Sequence, residues 1–182
     1  MNRLKLWGDS IIKNDLIYKL DSKNIHSMLK LKTIILKSTV NSATSESKDI
    51  LYSLIALEVL TNQKAKVLRT RKAVAAFNTK KFNAISSKVT VRGKTLHTFL
   101  WFLITVVLPR VSNFKELTRK SLTHDKNSLS LGLSNLALFP QLSKESEQLP
   151  KELGITITFN LDPKDSNLLL LLSEYQIPVL IT

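Results

Sequence analysis

The chain contains no cysteine, only four glycines and three histidines, and not one carboxylate between Glu58 and Glu116. Each scarcity removes a class of function. Without cysteine there is no disulfide, no thiolate nucleophile and no cysteine-ligated zinc. His26, His97 and His124 lack the spacing of a metal site on one helix and read as ordinary surface or half-buried residues, so no metal is expected. Gly8, Gly93, Gly132 and Gly154 are too scattered for a dinucleotide fingerprint or a phosphate-binding loop, which need several glycines within one turn. Serine is plentiful, yet no Gly-x-Ser-x-Gly elbow occurs. No acid, base or nucleophile cluster remains to carry catalysis, so neither an enzyme nor a cofactor is expected. Long apolar runs are also missing. Phe99 to Leu108 is apolar except for Thr105, and Leu168 to Leu172 is five leucines. Both fall short of the roughly 18–20 residues that span a bilayer, and both read as buried core helices.

What is present is a core and a field. At 182 residues with 43% apolar content, one domain with a real core is expected. The charge is lopsided. Residues 61–120 hold fourteen Lys and Arg against a single acid, Glu116, so this third alone accounts for the net +13. The two flanks, at +3 and −3, cancel. A solvated face normally mixes signs, because a single-sign field repels itself. Concentrated positive charge points to a polyanion, most commonly nucleic acid.

Along the chain, Asp9 to Leu20 has the apolar spacing of a short amphipathic helix, through Ile12, Leu16, Ile17 and Leu20. A strand is expected from Leu31 to Thr39. Ser45 fits the N-cap of a helix to Leu60 that Asn62-Gln63 ends, with Glu46 and Asp49 favouring its positive end. Short basic strands follow through Val67-Leu68 and Ser87–Val91, joined by a loop from about Arg71 to Ser86. Gly93 opens an apolar helix, Lys94–Leu108, stopped by Pro109, in which Trp101 and Phe102 read as core. A polar connection from Lys115 to Ser128 leads to strands near Leu129–Leu133 and Leu136–Phe139. Beyond an acidic linker, Ser143–Leu149, residues Ile155–Phe159 alternate as a strand. Asp162-Pro163 fits the cap of a last helix, and Ile177–Ile181 an edge strand or tail. Strands and helices mix without strict alternation, which predicts an α+β fold: an antiparallel β-sheet with helices packed on one face. The start carries no secretory or transit-type stretch, so the chain either acts where it is made or has lost a leader.

Several blocks fall in a familiar order. They are Thr61-Asn62-Gln63-Lys64, Arg71-Lys72-Ala73-Val74-Ala75-Ala76-Phe77, Lys88-Val89-Thr90-Val91-Arg92-Gly93 and Leu108-Pro109-Arg110-Val111 with Phe114 three on. Leu129-Ser130-Leu131-Gly132, Phe139-Pro140 and Gly154-Ile155-Thr156-Ile157-Thr158 complete the series. In that order and spacing the chain resembles the large-subunit ribosomal protein L-five family over about residues 24 to 180. The resemblance implies one domain over residues 1–182, with residues 1–23 as a helical extension and 71–86 as a basic tRNA-facing loop. It implies a place in the central protuberance, beside 5S rRNA, large-subunit rRNA and other central-protuberance proteins. It further implies contact with P-site tRNA and with small-subunit head protein S-thirteen across an intersubunit bridge. By this resemblance Gln63 and Thr90 meet 5S rRNA, with Lys32, Lys37, Lys64, Lys88 and Arg92 beside its phosphates. Lys72, Phe77, Lys80, Lys81 and Phe82 lie in the tRNA-facing loop.

The chain also departs from the family. Thr39, Ala76, Phe82 and Ser86 stand where the family usually has glycine, and Lys37 where it has asparagine. His124-Asp125-Lys126 replaces a glycine-rich turn, with one extra residue. Heavy use of Lys, Asn, Ile, Leu and Ser suits an A/T-biased genome and a mitochondrial matrix version, the alternatives being a bacterial cytoplasm or a plastid stroma.

Read without the family, Thr90 is equally an ordinary β-branched strand residue, Gln63 a helix-end polar residue, and Phe77 and Phe82 loop anchors. RNA is favoured over DNA, because the basic residues lie on expected strands and a loop and no helix-turn-helix is visible. Two functional classes stand beside each other: a structural component of a ribosome, and a free-standing RNA-binding regulator or chaperone.

Overall fold

Period-two burial assembles the sheet. In the computed structural model, which describes residues 3–20, 28–40, 42–44, 47–111, 128–142, 153–162 and 168–178, five strands pair. They are β1 (Lys30–Thr39), β2 (Lys66–Arg69), β3 (Ala84–Val91), β4 (Ser128–Leu133) and β5 (Ile155–Asp162), in the order β2-β3-β1-β5-β4. On β3, Ser87, Val89 and Val91 are buried while Lys88 and Thr90 are only half-buried. On β5 the buried set is Ile155, Ile157, Phe159 and Leu161, and on β4 it is Leu129, Leu131 and Leu133. Each of these three strands thus gives one face to the core and keeps the other more open, while β2 buries no residue. The sheet is antiparallel, and with its helices it makes the α+β fold expected from the sequence.

The chain divides into two compact units whose boundaries fall within strands. The first comprises Met1–Ile34, Val91–Leu131 and Thr158–Thr182. Here α1 (Arg3–Trp7), a π-helical turn (Gly8–Ile12) and α2 (Lys13–Leu20) follow one another, so the helix begins six residues before the expected Asp9. At Gly8 a Cβ would stand 2.9 Å from the Tyr175 hydroxyl, so a larger residue there would displace that side chain. Lys13 pairs with Asp9 at 2.8 Å, which holds the Asp9 carboxyl below the usual range, and Lys19 pairs with Glu174. Helix α4 (Gly93–Phe102) continues through a wide turn (Leu103–Val107) into a tight one (Leu108–Arg110). Pro109 causes the ending, since it has no N–H and crowds the carbonyl four residues back. Leu96, Phe99, Leu100, Leu103 and Val107 form the buried stripe. Trp101 lies off that stripe. It is 49% exposed and lines an apolar recess with Leu4, Trp7 and Tyr175, so its expected place in the core is corrected, and Phe102 is half-buried. A ten-residue apolar run is wider than one helix face and hides which of its members point inward.

The second unit comprises Ile35–Thr90 and Gly132–Ile157. Helix α3 (Ile50–Thr61) follows two 3₁₀ turns, Ser42–Thr44 and Ser47–Asp49. Asp49 precedes it without a side-chain cap bond, and the expected cap Ser45 lies outside the described residues. Asn62 ends the helix in the left-handed region at φ 51°, donating its N–H to the Glu58 carbonyl at 2.8 Å. The strand expected over Leu136–Phe139 is instead a 3₁₀ turn, Leu136–Leu138. Its buried residues, Leu136, Phe139 and Leu142, recur every three positions, and Phe139 and Leu142 donate N–H bonds to the carbonyls three residues back. Gly154 is needed for close approach, because a Cβ would meet the Leu133 carbonyl oxygen at 3.2 Å.

The 115–128 connection, apart from Ser128, and the 143–149 linker lie outside the described residues. The Asp162-Pro163 cap falls at the end of β5 and on residues not described, and the last helix, α5, is described over Leu168–Glu174. Ile177 and Pro178 form no strand, and the rest of that tail is not described.

Candidate nucleic-acid interface

The open face of the second unit is built by strand register. β2 runs antiparallel to β3 with Lys66 opposite Lys88, Val67 opposite Ser87 and Leu68 opposite Ser86. Directly opposed residues share a face, so Lys66 and Lys88 project side by side. β1 joins on the other side. Thr39 and Ser86 share a hydroxyl hydrogen bond of 2.9 Å, and Val40 donates its N–H to Ile85 at 3.1 Å. Counted antiparallel two residues on from that pair, Lys37 falls opposite Lys88. Three lysines therefore form a row across three adjacent strands, separated by the inter-strand spacing of about 4.8 Å. Like charges directly opposite each other destabilise a sheet, and among the described residues none of the three lysines has an ion pair.

The expected residues distribute around this row as follows. Thr90 is half-buried on the same face of β3, two residues beyond Lys88. Gln63 is half-buried and Lys64 exposed in the turn between α3 and β2, a turn fixed by the Ala65 N–H donating to the Glu58 carboxylate at 2.9 Å. Lys32 and Arg92 belong to the first unit. Lys32 is exposed on the alternate set of β1 positions, the one that includes Ile34 and Leu36, and Arg92 is exposed just before α4. Lys66 joins these residues through its pairing with Lys88, a register that nothing in the sequence gives.

The loop beyond β2 is a folded structure. Thr70 donates its N–H to Asn83 at 2.9 Å and accepts one from Phe82 at 3.0 Å. A bridge joins Val74 to Thr79, a 3₁₀ turn covers Ala75–Phe77, and Asn78 turns left-handed at φ 50°. Lys72, Lys80 and Lys81 are exposed at its surface. Phe77 and Phe82 are 73% and 65% exposed, so neither serves as the loop anchor that packing alone would suggest. The Lys81 ammonium lies 5.1 Å from the centre of the Phe82 ring, within cation–π range.

Histidine chemistry lies elsewhere. Burial pushes the His97 imidazole below its ordinary range, and its Nδ1 is enclosed without a hydrogen-bond partner among the described residues. Among the described residues no group of three or more His, Asp or Glu could hold a metal, and no helix is long and apolar enough to cross a membrane.

Comparison with known proteins adds a family. The model of the C-terminus of the ribosomal protein L-five family matches residues 84–179. A large ribosomal subunit protein uL5m of Reclinomonas americana is 35% identical over 182 residues, covering 98% of each chain. A large ribosomal subunit protein uL5 of Limosilactobacillus fermentum is 31% identical over 170 residues, 92% of this chain and 94% of the relative. A large ribosomal subunit protein uL5c of Chaetosphaeridium globosum is 32% identical over 152 residues, 81% of this chain and 80% of the relative.

Proposed function

The chain belongs to the ribosomal protein L-five family, and from that membership we propose that it is a structural, non-enzymatic constituent of the large ribosomal subunit that binds rRNA through its lysine row. The observation that carries the reading is the cross-strand pair Lys66 and Lys88, which Lys37 of the neighbouring strand extends, in a stretch whose sequence has no acid from residue 59 to 115. A sheet holds the lysine backbones at fixed spacing, so binding to a phosphate backbone orders only their flexible side chains. Counterions released from the RNA supply much of the affinity. Thr90 and Gln63 border the row and supply short polar groups for 2′-hydroxyls or base edges.

The finer assignments belong to the same proposal. The rRNA is 5S rRNA or its central-protuberance equivalent. The loop over residues 71–86 faces P-site tRNA, and the protein reaches the small-subunit head. The compartment is a mitochondrion, in keeping with the identity to a uL5m along nearly the whole chain.

The test is sedimentation with crosslinking. Epitope-tagged protein expressed in its own cells should travel with large subunits, and ultraviolet crosslinks should map rRNA to the Lys64–Lys66 turn and to Lys88. Tagged protein that bound RNA but stayed at the top of the gradient would overturn the ribosomal reading in favour of a free RNA-binding regulator.

A further inference from the structure

Beside the lysine row, at the root of the folded loop, the second unit contains a cleft of about 610 Å³. Its floor is Val40 and Ile85, from the end of β1 and the start of β3. Its wall is Val74 and Phe77, and its rim is Arg71 and Lys72. We infer that this cleft takes a single unstacked nucleotide of the bound RNA, with the base against Phe77 and its flanking phosphates on Arg71 and Lys72. The inference rests on the RNA-binding reading above and adds a partner to one part of it.

Three observations converge on that occupant. The first is the mismatch of chemistry in the loop. Val74 and Phe77 are 41% and 73% exposed on a segment whose every charged neighbour is basic. An apolar surface framed only by cations suits a flat, apolar group that is tethered to anions, and a nucleotide is such a group. The second is size, since the cleft falls within the roughly 300–1,000 Å³ of small-molecule sites and admits a base with its sugar. The third is order. Two hydrogen bonds between Thr70 and the Phe82-Asn83 pair and the Val74–Thr79 bridge hold the walls in place, so the cleft exists before ligand arrives. A base inside a duplex is stacked on both faces and cannot enter. The nucleotide must come from a bulge, a loop or an end.

The same geometry fixes the selectivity. The Thr70 hydroxyl donates to the Lys80 carbonyl and accepts the Asn83 N–H, and the Thr79 hydroxyl donates to the Val74 carbonyl. These polar groups are spent on holding the loop. Recognition then falls to stacking, which tolerates any base because every base has a π-face.

Two RNA hairpins of equal phosphate number test the idea with the full-length chain, one fully paired and one carrying a single bulged 2-aminopurine. The bulged hairpin should bind roughly tenfold or more tightly, and its 2-aminopurine fluorescence should be quenched on binding. Phe77→Ala should abolish both the preference and the quenching while the paired hairpin still binds as before, and Phe77→Trp should retain both. Equal binding of the two hairpins with unchanged fluorescence overturns the cleft alone, as does a preference that survives Phe77→Ala. Failure of both hairpins to bind at low salt overturns the RNA reading of the lysine row as well.

Discussion

Phe82 has φ 64°, in the left-handed region that a side chain makes costly by about 1–2 kcal/mol. The resemblance places glycine here, the residue that takes this conformation at least cost. The bonds of Thr70 to Phe82 and Asn83 over-determine the turn and hold it there. The strain is measurable by comparing two small replacements. Phe82→Gly should be more stable than Phe82→Ala by about 1 kcal/mol in urea unfolding, the reverse of the order found in ordinary backbone. Alanine more stable than glycine would mean that the turn has relaxed to negative φ. The other glycine replacements have gentler solutions. Thr39 and Ser86 hydrogen-bond to each other, and Ala76 sits in a 3₁₀ turn that has no need of glycine.

At the scale of elements, α4 separates what periodicity reveals from what it hides. Its existence and its stop were legible, because Gly93 and Pro109 bracket an apolar run. The inward face was not, because nearly every residue from Phe99 to Leu108 is apolar. The stripe through Leu96, Leu100, Leu103 and Val107 fixes it. Leu100→Ala should therefore cost about 2–5 kcal/mol through the cavity it leaves. Trp101→Ala should cost only about 1 kcal/mol, since half of the ring already meets solvent. Chemical denaturation of both variants checks the order, and a larger loss at Trp101 would return it to the core. The strands β1, β4 and β5 were legible because they alternate. The segment Leu136–Phe139 was not, because a short apolar run before Pro140 fits either a strand or a tight turn. The lysine row was legible as composition and invisible as geometry. Register depends on the turn after α3 and on the irregularity between Leu68 and Arg69, and no residue pattern announces either.

For the whole molecule the decisive quantity is how its +13 is arranged. Among the described residues the lysine row of the second unit has no ion pair, whereas the first has pairs such as Lys13 with Asp9 and Lys19 with Glu174. Charges already neutralised by a neighbour release few counterions from RNA, so the two groups of lysines should differ in salt dependence even though each lysine carries the same charge. A plot of log affinity against log salt for a central-protuberance rRNA fragment should be steep, with each phosphate neutralised adding roughly −0.7 to −0.9 to the slope. Lys66→Glu with Lys88→Glu should flatten that slope by roughly 1.4 or more, since two cations are lost and two anions oppose the backbone. Stability should be kept or slightly raised at low salt when only one of the two is reversed, because a cross-strand repulsion becomes an attraction. Lys13→Gln with Lys19→Gln should leave the slope unchanged. If the paired lysines of the first unit moved the slope as much as the row does, binding would follow net charge alone and the register of the sheet would have no part in it.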